Sequence, residues 1–189
     1  MQTSKTDLRV IRTKKSIRDA FCDMIMEMDY QEITIKELTQ RAMINRNTFY
    51  LHYNSIDDLL EELQNEIAGK FIDLQVSYSS MDDIRRLIRV FFENATKQSP
   101  LHERLLCSGS YQFVYDRINE QVMGHRKLMN RGVFGMDEAS ENIIFAYYGS
   151  ITATIYRQWV ADGRKLPLEE VITLATNLIC DGMSSVVKH

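Results

Sequence analysis

Residues 34–53 read Thr34-Ile35-Lys36-Glu37-Leu38-Thr39-Gln40-Arg41-Ala42-Met43-Ile44-Asn45-Arg46-Asn47-Thr48-Phe49-Tyr50-Leu51-His52-Tyr53, and this stretch decides the fold. Threonine followed three residues later by glutamate is a capping box, in which each side chain can satisfy the other residue's backbone N–H. It predicts a short helix from Ile35 to about Arg41, with Leu38 and Ala42 facing inward one turn apart. Ala42-Met43-Ile44-Asn45 reads as a turn, and Asn45 is a good N-cap for a second helix from Arg46 to about His52. A helix that short is not stable alone, so its inward residues must pack on neighbours. Phe49 and Tyr53, at i and i+4, are the expected inward pair. Ser55 is a further N-cap and opens a longer helix from Ile56 to about Gln75. Upstream, Ile17, Ala20, Phe21, Met24, Ile25 and Met28 recur at spacings of three and four, which marks one face of a helix over about 9–28. Its other side carries Arg12, Lys15 and Asp19.

Two short helices joined by a tight turn and packed on a longer first helix make a helix-turn-helix. In that motif the second short helix is the one placed in the major groove of DNA. Its outward residues have the chemistry to read bases. Arg46 can fork onto guanine, Asn47 can pair with adenine, and the Thr48 methyl can touch a thymine methyl. Tyr50 and His52 can reach phosphates, contacts that position a protein without reading sequence. The candidate DNA-binding residues are Thr34, Asn45, Arg46, Asn47, Thr48, Tyr50 and His52.

The charge pattern points the same way. The net charge is −3, yet residues 1–18 hold six Lys/Arg (Lys5, Arg9, Arg12, Lys14, Lys15, Arg18) against the single acid Asp7. Residues 56–189 hold 14 basic and 19 acidic side chains. A basic head on an acidic body suits a chain that meets polyanions at one end. The segment before residue 18 is expected to release counterions from phosphates or to reach into a minor groove.

Composition bounds the rest. In 189 residues, 44% are hydrophobic and 26% charged, an ordinary globular balance. Two prolines and eight glycines are too few for collagen or a turn-rich all-β fold. Cys22, Cys107 and Cys180 are odd in number and far apart, which argues against a disulfide framework or a zinc knuckle. Reduced thiols in a cytoplasmic protein are the expectation. No apolar run has the length of a signal peptide or of a membrane span.

The run Ile33-Thr34-Ile35-Lys36-Glu37-Leu38, then Ala42, Ile44 and Asn45, then Thr48-Phe49-Tyr50-Leu51-His52-Tyr53, then Ser55, Asp58, Leu59 and Leu60, resembles the DNA-binding domain of the TetR/AcrR family of bacterial transcriptional regulators. The resemblance is motif-level over about residues 9–62; beyond that it rests on length and helix layout. It implies a homodimer on a pseudo-palindromic operator, with Thr48, Tyr50 and His52 touching DNA and Phe49 holding the reader helix to the core. Three positions depart from the family's pattern. Met43 stands where a glycine is usual, and a non-glycine residue there carries strain if φ is positive. Asn47 replaces a residue that is often small. Ile56 replaces a frequent phosphate-binding lysine, so that backbone contact is expected to be missing.

In the remainder, Ile84, Leu87, Ile88, Phe91 and Ala95 mark a helix over about 82–97. Ser99-Pro100 starts a short one over about 101–106, since proline fits a first helical turn. Val114, Ile118 and Val122 mark another over about 111–130. The last two helices are expected over about 138–161, with Ile144, Tyr148, Ile151, Ile155 and Trp159 in a stripe, and from Pro167 onward, with Leu168, Val171, Ala175, Leu178 and Gly182 on one face. Ile143, Tyr147, Ile172, Leu174 and Ile179 lie off those stripes, and helices apolar on more than one side bury more than one face. The pair is therefore expected to meet its symmetry mate as a four-helix bundle, with Gly149 and Ala153 allowing close approach.

The expected organisation is all-α with about nine helices: a helix-turn-helix DNA-binding domain over 1–55, a connecting helix over 56–76, and a helical regulatory and dimerisation domain over 77–189. The resemblance implies that this last part senses something. The function expected is a dimeric repressor released from its operator by a small apolar or aromatic effector. Phe91, Phe92, Tyr111, Phe113, Tyr115, Phe145, Tyr148, Thr152 and Tyr156 are the candidate ligand-lining residues. The alternative is a member that activates or answers to a protein co-regulator, of the dihydroxyacetone kinase operon activator type.

Other classes find little support. His52, His102, His125 and His189 stand in no recognisable relation to a nucleophile or carboxylate, and no glycine-rich phosphate loop occurs, so catalysis is not expected. His102 and Cys107 are five apart, a poor spacing for a metal site on one helix face. No metal, cofactor or membrane partner is expected.

Overall fold

The structure is a computed structural model that describes residues 5–73, 80–129 and 135–184, with side chains from Leu8 to Gly182 among them. The helix ends expected at about residues 75 and 130, and the domain boundary expected between 76 and 77, lie outside these residues. The described residues form nine α-helices and no strand: α1 (Lys5–Glu27), α2 (Ile35–Arg41), α3 (Arg46–Tyr50), α4 (Ile56–Ile72), α5 (Met81–Thr96), α6 (Pro100–Cys107), α7 (Gln112–Met129), α8 (Glu138–Ala161) and α9 (Leu168–Ser184). Short 3-10 turns precede α2 and α7. The chain divides into two compact units, Met1–Glu66 and Ile67–His189, and α4 begins in the first and ends in the second.

The first unit is a small core wrapped by capped helices. Ile17, Phe21, Met24 and Ile25 of α1 are buried with Leu38 of α2, Phe49 of α3, Tyr53, and Leu59, Leu60 and Leu63 of α4. Thr34 caps α2 by accepting from Glu37 N–H at 3.2 Å. The other half of the expected box is diverted: the Glu37 carboxylate takes Arg41 Nη2 at 2.8 Å, and Arg41 Nη1 reaches Glu27 of α1 at 2.6 Å. Asn45 caps α3 by accepting from Thr48 N–H at 2.7 Å. Ser55 caps α4 by accepting from Asp58 N–H at 3.1 Å, and Asp58 in turn takes Asn54 N–H at 2.8 Å. The Asn54 backbone N–H, the Asn54 amide and the Ser55 hydroxyl, which donates at 2.9 Å, together hold the Asp58 carboxyl below its ordinary value.

The α2–α3 turn closes as a Schellman motif. Met43 N–H donates to Gln40 O at 3.2 Å and Ile44 N–H to Thr39 O at 3.0 Å. The motif needs a left-handed residue, and Met43 supplies it at φ 53° with its side chain 89% exposed. The same pair of bonds ends α8, where Gly163 at φ 73° fills the equivalent position. Thus one of two like turns uses glycine and the other holds a methionine under strain.

The second unit has its own core. α5 packs on α9, α8 on both α7 and α9, and α6 on α7 and α8. Ile84, Leu87, Ile88, Phe92, Tyr156, Trp159, Val171, Ile172, Ala175 and Ile179 fill it. The phase of α9 differs from the expected stripe. Ile172 and Ile179 are buried with Val171 and Ala175, whereas Leu178 and Gly182 are exposed. Leu178 is 55% exposed and Ile143 of α8 71%; Tyr147 and Leu174 are exposed beside them, and Tyr147 Oη donates to Leu178 O at 3.4 Å. Gly149 and Ala153 are buried, not on this open face. A Cβ on Gly149 would come within 3.0 Å of Asn119 and Met123 of α7, so the close approach is internal to the unit.

Met43→Gly is expected to raise the stability of the chain by about 0.5–1 kcal/mol, the left-handed strain relieved less the extra chain entropy of glycine. Thermal unfolding of the two proteins checks this; an unchanged or lower midpoint for Met43→Gly would show that the turn is unstrained.

Candidate nucleic-acid interface and cavity

α3 is five residues long and is held by one side chain. Phe49 is fully buried, with Tyr53 at 5.8 Å between ring centroids and Tyr50 edge-on at 5.6 Å. Truncating a buried phenylalanine costs about 3–5 kcal/mol, far more than helix propensity contributes to so short a segment. Tertiary packing therefore fixes which side of α3 faces out.

On that outer side Arg46, Asn47, Tyr50 and Leu51 are exposed, and Thr48 and His52 are half-buried. Both the N–H and the Oγ1 of Thr48 donate to Asn45 Oδ1, at 2.7 and 2.9 Å, which commits its donors to the cap and leaves its methyl and the hydroxyl's acceptor lone pairs. Thr34 and Asn45 are exposed, and their side-chain oxygens serve as the caps of α2 and α3. All seven residues singled out in the sequence lie in the first unit: Thr34 and Asn45 at the starts of α2 and α3, Arg46, Asn47, Thr48 and Tyr50 on α3, and His52 in the turn that follows it. Leu51 was not among them. It continues the helical turn at φ −72°, ψ −16°, and is 80% exposed. Counting 100° per residue from the inward Phe49 would have placed it outward with Asn47.

The basic head is helical from Lys5, so its cations sit on turns of α1 and do not form an extended arm over the described residues. Half of the six are internally paired: Lys14 with Glu62 at 3.6 Å, Lys15 with Asp19 at 2.6 Å, and Arg18 with Glu66. Lys14 also lies over the Tyr53 ring at 5.2 Å. Burial and the neighbouring Glu62 push the Tyr53 phenol up to about 12, so it stays neutral. Arg9 and Arg12 are exposed.

The second unit contains a cavity of about 80 Å³. Its wall is mostly apolar (Ile67, Phe71, Val90, Phe91, Leu105, Ile118, Val122, Met123), with Gln98, Asn119 and Arg126 among the polar groups. Of the nine residues expected to line a ligand site, Phe91, Tyr115, Tyr148 and Thr152 border it. Phe92, Tyr111, Phe145 and Tyr156 are buried away from it, and Phe113 is exposed. Tyr115 is held firmly: its Oη donates to Gly149 O at 3.1 Å, and the Arg157 guanidinium stacks on its ring at 4.1 Å. Arg157 is itself fixed by bonds to Leu106 O at 2.8 Å and Gln112 Oε1 at 2.6 Å. Burial raises the Cys107 thiol to about 11, which keeps it protonated and a poor metal ligand. Among the described residues no cluster of three His, Cys, Asp or Glu could hold a metal, and no helix is long and apolar enough to cross a membrane.

Residues 17–63 match the sequence profile of the bacterial regulatory proteins of the tetR family. An uncharacterised helix-turn-helix transcriptional regulator of Bacillus subtilis, YxbF, is 38% identical over 68 residues, which is 35% of this chain and 18% of that protein. The chain thus spans under a fifth of that relative's length. The dhaKLM operon transcriptional activator DhaS of Lactococcus lactis is 23% identical over 180 residues, 89% of each chain. A TetR transcriptional regulator of Streptococcus agalactiae superposes at a TM-score of 0.72 with 18% identity, covering 92% of this chain and 97% of that one, which establishes a shared fold.

Proposed function

Because this chain is a member of the TetR family of bacterial transcriptional regulators, we propose that it works as a dimeric repressor whose α3 reads a pseudo-palindromic operator and whose second unit binds a small effector. The family's members are regulators of transcription, not enzymes. The working parts are a DNA-binding region over 1–55, a connecting region over 56–76 that contains α4, and a regulatory and dimerisation region over 77–189. The observation that carries the reading is the pairing of a fully buried Phe49 with a row of exposed polar groups across the same short helix. Arg46 and Asn47 read base edges, Tyr50 and His52 take phosphates, and Arg9 and Arg12 add sequence-independent attraction.

The dimer forms through the exposed apolar face of α8 and α9, where Ile143, Tyr147, Leu174 and Leu178 stand in i, i+4 pairs on adjacent helices. Such a face is self-complementary in a C2 four-helix bundle. Two reader helices about 34–36 Å apart match successive major grooves on one side of the duplex. The effector is a small, mainly apolar molecule that enters the cavity beside Phe91, Tyr115, Tyr148 and Thr152. α4 carries the Ser55–Asp58 cap near its start and Ile67 and Phe71 on the cavity wall near its end, which makes it the element that links effector to reader. Occupancy shifts the population toward a form whose readers no longer fit the groove. The cytoplasm is the compartment in which such a regulator meets its DNA. The second reading is activation: the Lactococcus lactis relative, similar over nearly the whole chain, is an activator by name.

The operator duplex enriched from a random library should bind with an affinity that falls steeply with salt. Arg46→Ala should lose about 1–3 kcal/mol at one base pair per half-site and leave non-specific binding almost unchanged. Equal loss on every sequence would make Arg46 a phosphate contact. A chain with no preference among duplexes would end the regulator reading. Separately, the double change Ile143→Glu and Leu178→Glu should give a monomer in sedimentation analysis with an unchanged helix content; a persistent dimer would place the interface elsewhere.

A further inference from the structure

We propose that Leu51 reads a thymine 5-methyl group in each operator half-site, an inference that rests on the operator-binding role given to α3 above. α3 is so short that its reach is set by direction alone. Phe49 points fully inward. At about 100° per residue, Arg46 and Tyr50 lie to one side of the opposite direction and Thr48 and His52 to the other. Asn47 and Leu51, one turn apart, straddle the outermost line. The Leu51 backbone is helical, and its N–H donates to Asn47 O at 3.2 Å, so the two side chains share a face. They are therefore the residues that go deepest into a groove that α3 enters.

Asn47 has donors and an acceptor for a base edge, whereas Leu51 has none. In the major groove one base edge offers an apolar group, the C5-methyl of thymine. An isobutyl group 80% exposed at the leading edge of the reader is matched by that methyl and by no other base-edge group. A cytosine or purine edge placed there would lose water from its polar atoms without a partner. Leu51 thus adds an apolar letter beside the hydrogen-bonded letter read by Asn47.

The test uses the full chain and the duplex it enriches from a random-sequence library, with each thymine replaced in turn by deoxyuridine. Removing the methyl under Leu51 should weaken wild-type binding about fourfold per half-site, the transfer value of one methylene-sized group, and about fifteenfold with both half-sites changed. Leu51→Ala, at an exposed position and with the wild-type melting temperature, should bind the thymine and uracil duplexes equally at that base pair. It should keep its dependence on every other base pair. A wild-type protein that selects a sequence yet ignores every thymine-to-uracil change would overturn the inference while leaving the regulator reading in place. So would a Leu51→Ala protein that keeps the full methyl dependence. A chain that selects no duplex sequence overturns both.

Discussion

Phe49 has no exposed surface, on a helix of only five residues, and the rest of the first unit is arranged to keep it so. Helix propensity cannot hold a segment of this length; the buried ring does, against the packed side chains of the first unit. The three caps then fix where helices begin. Asn45 starts α3, Thr34 starts α2 and Ser55 starts α4, each by one side-chain oxygen on a backbone N–H. Once the inward direction is set, geometry assigns the outward one, and the residues found there are cationic, amide, hydroxyl and aliphatic in turn. A reading surface is the chemical consequence of an anchor opposite it.

Charge in the head is handled more sparingly than its composition suggests. Lys14, Lys15 and Arg18 spend their charge on Glu62, Asp19 and Glu66 within the first unit, and Arg41 ties α1 to α2 through Glu27 and Glu37. These exposed pairs add little stability each. Arg9, Arg12, Lys36 and Arg46 are exposed and take part in none of these pairs.

Much of the first unit was legible because capping is local chemistry. Thr34, Asn45 and Ser55 mark their helices in the sequence to within a residue or two. The first turns of α1 were not, because Leu8, Val10 and Ile11 are partly exposed there and give no clear stripe. Periodicity also misjudged α9. Apolar residues occur on nearly all its sides, so spacing cannot tell the buried Ile179 from the exposed Leu178; only the neighbouring α5 and α8 decide it. The same limit applies to the aromatics of the second unit. A cavity wall and a solid core ask for the same residue types, and Tyr115 differs from Tyr111 only in what stands across from it. Met43 was the reverse case, a single residue that stands where the family it resembles usually has glycine, and its positive φ is seen only in the structure.

The proposed function depends on α3 being displayed twice, at the pitch of the duplex, with its outer face in the major groove. Methylation protection of guanine N7 along the bound operator tests this most directly, because that atom lies on the major-groove floor. The account predicts two protected patches on one side of the duplex, centred about one helical turn apart. Protection confined to one patch, or bound DNA with every guanine N7 still reactive, would contradict it.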